Sequence, residues 1–333
     1  MLIIIIFLNI ILNFLLFKNL NFLQKILIIS DIPNERKIHK SPVPLLGGTF
    51  FLMNLLFIFF IYCINDFSFM NLSFDKNAII SIVGGVILFY ILGYSDDSSK
   101  IISPNLRLFF SVIILGLVLY LDNELILTSL KLSFLNSGEL IKLNNYVGII
   151  LTIFSFLVLI NAFNMTDGIN LLSTFYIFYI FFVFFLLGIF NINFLFFLPF
   201  FIFFFIYNNK YQIFFGSSGI MPASFFVGYI FIKSYNQNIL LYSDMAFIIL
   251  LIPLLELLRL IFLRLKNSHN PFKADQNHLH HYIYNNFSFN KTILILLMIY
   301  IIPSLIVIFE LSFHWIYTII VIYFYLIEKY KKI

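Results

Sequence analysis

Gly93-Tyr94-Ser95-Asp96-Asp97-Ser98-Ser99-Lys100 sets two adjacent carboxylates and a lysine directly after residues 79–92, a run without a single charge. An ionised Asp at the centre of a bilayer costs about 2.5–3.5 kcal/mol even on the lenient insertion scale. The pair therefore belongs at the end of a membrane helix, where water or a bound cation compensates it. Three further polar islands have the same setting: residues 31–48, 161–170 and 264–286. The expectation is an all-α polytopic membrane bundle that gathers the four islands on one side.

Composition supports this. Charged residues make up 11% of the 333 residues, against about 25% in soluble domains, which excludes a water-soluble fold. The single cysteine, Cys63, permits no internal disulfide and reads as a small core or lipid-facing residue. The N-terminus has no basic leader and no small-residue cleavage site, so residues 2–17 read as the first span rather than a signal peptide.

A span needs about 20 apolar residues, with roughly 17–25 as the usual range. Interrupting the chain at polar clusters gives about eleven transmembrane helices: 2–17, 47–65, 78–94, 105–121, 147–163, 171–188, 191–207, 219–233, 246–263, 292–309 and 311–328. Ten is the alternative, because the pairs within 171–207 and 292–328 are split only at Asn191-Ile192-Asn193 and Glu310. Residues 19–30 read as an interfacial helix or an extension of the first span. With eleven spans, one side leaves only Lys76, Lys131, Lys142 and Lys233 of the 20 Lys and Arg to the other. That bias assigns the rich side, with all four islands, to the cytoplasm. On the opposite side, residues 122–146 alternate weakly around Asn136-Ser137-Gly138 and predict a small β-hairpin. No internal repeat or second domain is visible, so residues 1–333 read as one integral membrane domain.

Each island admits a chemical and a plainer reading. Asp96 and Asp97, as helix neighbours, point about 100° apart, so both serve one ion only where the helix frays. Mg²⁺ is commonly held by one or two carboxylates while it keeps waters and takes substrate phosphates, and Lys100 one turn on can meet phosphate charge; a solvated helix end is the alternative. Asn161, Asn164 and Asp167, at spacing three, form one stripe on a helix. Such a stripe faces a cavity or a partner: amides read a base or sugar edge, the carboxylate joins a metal or accepts a proton, and an interhelical polar zipper is the other option. Arg36, Lys37, His39 and Lys40 precede Pro42-Val43-Pro44 and Gly47-Gly48, a stiff loop with basic groups at headgroup level suited to a lipid phosphate; the positive-inside bias alone also places cations there. Arg264, Lys266, His269 and Lys273 lead to Asp275, His278, His280 and His281. The excess of cations favours phosphate there, with zinc and a simple polar loop left open.

Taken in order, the islands resemble the polyprenyl-phosphate N-acetylhexosamine-1-phosphate transferases, the superfamily that includes phospho-N-acetylmuramoyl-pentapeptide transferase. The resemblance rests on Asp31-Ile32-Pro33-Asn34-Glu35-Arg36-Lys37-Ile38-His39 with Pro42-Val43-Pro44 and Gly47-Gly48, and on the Asp96-Asp97 stretch. Asn161-Ala162-Phe163-Asn164-Met165-Thr166-Asp167-Gly168 and Pro271-Phe272-Lys273-Ala274-Asp275-Gln276-Asn277-His278-Leu279-His280-His281 complete it. The closing His-Leu-His-His is closer to the branch that loads UDP-N-acetylhexosamines. The resemblance implies that polyprenyl (undecaprenyl) phosphate attacks the β-phosphorus of a UDP-N-acetylhexosamine, giving polyprenyl-diphospho-sugar and UMP and starting a cell-envelope glycan. It implies Mg²⁺, with Mn²⁺ as a substitute, and a bacterial inner membrane with the active site cytoplasmic. It leaves room for a homodimer and calls for no nucleic acid.

By position, the resemblance makes Asp96, Asp97 and Asp167 catalytic and metal-binding, with His278 also catalytic. Asn161 and Asn164 contact the nucleotide-sugar; Arg36, Lys37, His39, Lys40 and Lys100 serve the lipid phosphate; Arg264, His280 and His281 complete the substrate-binding set. Three departures stand against it. Ser217 replaces a metal-ligating Asp in Gly216-Ser217-Ser218-Gly219, Leu171 replaces a common glycine, and Glu256 replaces an Asp. A serine hydroxyl is a far poorer Mg²⁺ ligand than a carboxylate. A catalytically impaired homologue that still binds polyprenyl phosphate or UDP-sugar is therefore the alternative; a transporter lacks the inverted repeat and broken helix pair expected of many carriers.

Overall fold

The computed structural model describes residues 1–27, 29–33, 41–65, 68–98, 103–135, 140–169, 171–210, 212–268 and 277–331. Helix α1 (Leu2–Lys18) ends at Asn19, and α2 (Leu20–Leu27) leaves it at 65°. Of the two readings for this segment, the structure takes the separate helix. Its Phe22 and Ile26 are exposed, while Asn21, Gln24 and Lys25 line a cleft that reaches Asp97. Two short strands, β1 (Ser30–Asp31) and β2 (Val43–Pro44), pair antiparallel, with Asp31 opposite Val43. Helices α3 (Gly47–Asn65), α4 (Lys76–Asp97) and α5 (Pro104–Leu121) follow. Local chemistry sets their starts: Asp75 caps α4 through the Ala78 amide, and Ser103 caps α5 ahead of Pro104 at the first helical position.

The predicted hairpin forms as β3 (Ser129–Lys131) and β4 (Leu140–Lys142), with Leu130 opposite Ile141. Then come α6 (Asn145–Asn164), α7 (Leu172–Leu186), a 3₁₀ turn over Ile192–Phe197 that leads into α8 (Leu198–Asn209), and α9 (Ser217–Asn236). The segment 246–263 is broken into α10 (Met245–Ile249) and α11 (Leu251–Lys266). Pro253 is the reason: it lacks an N–H and tolerates only the first turn of a helix, so a new helix begins just before it. Helices α12 (Leu279–Tyr284), α13 (Phe289–Ile308) and α14 (His314–Lys331) complete the chain.

Helices occupy every stretch expected to hold one. Among the described residues, six segments are long and apolar enough to cross a membrane, or up to seven if the bent α1–α2 pair is one span. Helix α9 fails that test for a physical reason. It is the centre of the bundle, packed along α4 and against α6 and α3, and nearly every residue from 218 to 234 is buried. A helix wrapped by protein need not be apolar toward lipid, and small residues such as Ser218, Gly219, Ser224 and Gly228 let its neighbours approach. Around it, aromatic side chains fill the core: Phe181 meets the rings of Phe190, Phe197, Phe201 and Phe226 at 5.1–5.9 Å.

One contact positions the site directly. A Cβ on Gly93 would lie 2.3 Å from the Ser217 carbonyl oxygen, so only glycine lets the last turns of α4 rest on the first turn of α9.

Candidate active site

Helix α4 does not fray at its end, and this decides where its two aspartates go. The Asp97 carboxylate turns onto the start of α9, where Oδ1 accepts from the Ser217 amide at 2.9 Å and Oδ2 from the Ser218 amide at 2.8 Å. These first-turn N–H groups have no partner within their own helix, and the helix dipole favours an anion there. Asp96 points the other way and accepts from Arg107 Nη1 of α5 at 3.2 Å. The fraying that would let both carboxylates serve one ion is absent here: helical divergence holds Asp96 on Arg107, away from the amides that hold Asp97.

Asp97 lines a cavity of ≈ 400 Å³ together with Asp31, Asn164, Asp167, Ser217 and His281. Residues from all four polar islands thus meet in one concave space. Asp167 follows α6 in a short turn, and its Oδ1 accepts from the Ser173 hydroxyl at 2.7 Å. The residue is exposed as a whole, and its carboxylate lines the cavity. Burial raises its pKa to about 6, with the Ser173 hydrogen bond pulling down and the Asp31 charge pushing up. A carboxyl titrating near 6 is mostly ionised at neutral pH, and its charge in this setting favours a neighbouring cation.

A second space of ≈ 650 Å³ adjoins the first, sharing Asn164, Asp167 and His281. Its polar end is lined by Arg107, Asn161, Arg264, His278 and His280, and its apolar end by Phe154, Leu157, Val158, Leu257 and Ile261 between α6 and α11. Asn161 donates to the Leu157 carbonyl at 2.7 Å, so its Oδ1 is the atom left for a ligand. Arg264 is buried in this wall. The three imidazoles stack closely, with ring centroids 4.9 Å apart for His278–His280 and 4.3 Å for His280–His281. Burial, reinforced by His278, His281 and Arg259, pushes His280 well below the ordinary histidine range, so it is neutral at pH 7. His280 is 3% exposed and Nε2 has no hydrogen-bond partner. A Cβ on Gly168 would lie 1.9 Å from that nitrogen, so the turn carrying Asp167 closes directly over the imidazole. His280, expected in the substrate-binding set, is a buried imidazole beneath this turn. Arg36, Lys37, His39, Lys40 and Lys100, with Lys273 and Asp275, lie outside the described residues.

Similarity to known proteins follows the same residues. The sequence model of glycosyl transferase family 4 matches residues 79–235, from the approach to Asp97 through α9. Undecaprenyl-phosphate alpha-N-acetylglucosaminyl 1-phosphate transferases are similar over 265 residues, 76% of this chain and 68% of theirs. That of Salmonella typhi is 27% identical, that of Escherichia coli (strain K12) 28% and that of Yersinia pestis 25%.

Over residues 79–235 the chain is similar to glycosyl transferase family 4.

The site also holds side chains that do not stand out in the sequence. Arg107 was hidden as one charge at a helix start, and its pairing with Asp96 is a tertiary fact. Ser173 is one hydroxyl in an apolar helix. Asn208 of α8 donates to the Ile213 carbonyl at 2.6 Å, which leaves its buried Oδ1 without a donor on the cavity wall. Asn208 stood in a polar cluster with Asn209 and Lys210 that read as a loop. Among the described residues no three of His, Cys, Asp and Glu converge as a metal cluster. The donor set is two carboxylates, Asp97 and Asp167, on one cavity. That set fits a hard divalent ion which keeps waters and takes phosphate oxygens.

Proposed function

We propose that this protein is a single integral membrane unit that transfers a sugar-1-phosphate, from a UDP-N-acetylhexosamine, to polyprenyl phosphate, releasing UMP at the inner face of a bacterial membrane. The observation that carries the reading is the single cavity in which Asp97, Asn164, Asp167 and His281 meet from helices far apart in sequence. Two anionic substrates must be held in line with their charge compensated. The apolar end of the adjoining space, between α6 and α11, suits a prenyl chain, and its polar end, with Arg107 and Arg264, suits phosphate. Asn161 and Asn164 face the same space and can read the nucleotide-sugar.

Asp97 and Asp167 would hold Mg²⁺, each carboxylate oxygen keeping a lone pair beyond its present hydrogen bond. When bound, the ion supplies positive charge to the phosphate oxygens. The protein's own part is orientation: α9 amides fix Asp97, Ser173 fixes Asp167, and Gly168 against His280 fixes the turn between them. Membranes given UDP-GlcNAc and related UDP-sugars, undecaprenyl phosphate and Mg²⁺ should release UMP with at least one donor. No release with any donor would sink the proposal.

A second reading, a binding protein that has lost turnover, is motivated by Ser217. Its contribution to the site is a main-chain N–H on Asp97, and its side chain carries no charge. Because two carboxylates already fit a divalent ion, Ser217→Asp should change UMP release by less than about threefold. A tenfold or greater gain would instead establish impairment; one ligand-level electrostatic contact is worth about that much or more.

A further inference from the structure

Glu256 touches neither cavity, yet it is the most heavily used buried carboxylate near the histidines. Its Oε1 accepts from Arg259 Nη2 at 2.8 Å and from the Leu279 amide at 2.8 Å, and lies 3.8 Å from His278 Nδ1. Its Oε2 accepts from Arg259 Nε at 3.3 Å and from the Tyr323 hydroxyl. Arg259 carries the tie further, donating through Nη2 to the Asn277 carbonyl at 2.6 Å and through Nε to Tyr323 at 2.9 Å. Glu256 and Tyr323 are each 1% exposed. One carboxylate therefore joins α11, α14 and the chain at 277–279, where α12 begins. That junction fixes where α12 presents His280, under Gly168, and His281, into the cavity with Asp167. The longer side chain also bears on the departure from Asp: Glu has one more methylene with which to reach both Tyr323 and the Leu279 amide.

We propose that Glu256, with Arg259 and Tyr323, is a positioning residue for the histidine helix, so that the last helix of the chain sets the geometry of a site it does not touch. The proposal rests on the transferase reading for its kinetic consequence, but its structural consequence does not. Two measurements keep these apart in Glu256→Ala, Glu256→Gln and Tyr323→Phe. The first is kcat and KM for the UDP-sugar in UMP release. The second is carbethoxylation of each histidine by diethyl pyrocarbonate, mapped by mass spectrometry, which needs no turnover.

Glu256→Ala should lower kcat by about 30-fold or more with KM within about threefold, since a misplacement near 1 Å costs up to about 100-fold. His280, protected in the natural protein, should become reactive. Glu256→Gln keeps an acceptor for the Leu279 amide and should recover part of the loss; Tyr323→Phe should shift both readouts in the same direction by less. His280 staying protected in Glu256→Ala, or kcat holding within twofold, overturns the proposal. If the wild type releases no UMP, the transferase reading fails while the reactivity map still decides the positioning role. If Glu256→Ala does not fold, the Gln and Phe variants decide by the same two criteria.

Discussion

Leu171 shows what a single backbone angle does to this site. Its φ of +71° lies in the left-handed region, immediately before α7 and on the wall of the carboxylate cavity. A side chain there costs roughly 1–2 kcal/mol, and glycine carries no such cost, although it adds about 0.5–1 kcal/mol of unfolded-state freedom. The residue common at this position in the resembling family is the one this backbone prefers. Leu171→Gly should therefore raise the thermal midpoint in detergent by about 1–3 °C. A lower midpoint would mean that Leu171's contacts outweigh its strain. Gly168, three residues earlier, is constrained differently: its φ is ordinary, and what forbids a Cβ is the His280 ring.

At the scale of elements, α4 and α9 act as a pair: α4 delivers a carboxylate, and α9 delivers the amides that hold it. The two neighbouring aspartates should then respond unlike each other. Asp97→Asn removes the charge from the cavity and should cut UMP release by about 100-fold or more, the scale of losing one preorganised electrostatic contact. Asp96→Asn should cost less, and it should act as one unit with Arg107. In the cycle Asp96→Asn, Arg107→Gln and the double variant, the double should fall no further than the worse single, because contacting residues are non-additive. Additive losses, or an Asp96 variant as impaired as Asp97→Asn, would contradict the divergence of the two side chains. The islands themselves were legible in the sequence because a polar group in an apolar chain is costly enough to stand out. Their directions were not. Asp96 on Arg107, the β1–β2 pair that brings Asp31 in, and the orphan Oδ1 of Asn208 all depend on which helices become neighbours, and lipid-like helix faces do not encode that.

For the whole molecule, neighbours are chosen by polar contacts buried between helices, since apolar burial alone does not discriminate in lipid. Asn9 and Asn13 of α1 interlock with Asn54 of α3, all three fully buried. At the end away from the site, Lys233 of α9 binds Asp122 at 3.0 Å and Glu124 at 2.9 Å. End contacts also give each helix a direction, including those not apolar enough to be counted as spans. Helix α9 runs from Asp97 to Asp122. The α10–α11 pair runs from Asp244, which accepts from the Ser133 amide beside the hairpin at 3.0 Å, to Arg264 on the cavity. Helix α14 runs from Phe313, whose ring is 5.3 Å from Phe134 near the hairpin, to Tyr330, 5.5 Å from Phe287 just past the histidine helix. If all of these helices cross, as the proposed count of eleven requires, the hairpin would lie outside and the carboxylate end inside. On a Cys63→Ser background, Lys142→Cys in β4 should react with a membrane-impermeant maleimide in intact cells, and Ser98→Cys only after permeabilisation. A fluorescent protein fused after Ile333 should fold and fluoresce in the cytoplasm. Ten crossings would separate the C-terminus from Ser98, so a dark fusion beside an internal Ser98→Cys would refute eleven, and labelling of both cysteines from one side would refute the bundle's polarity.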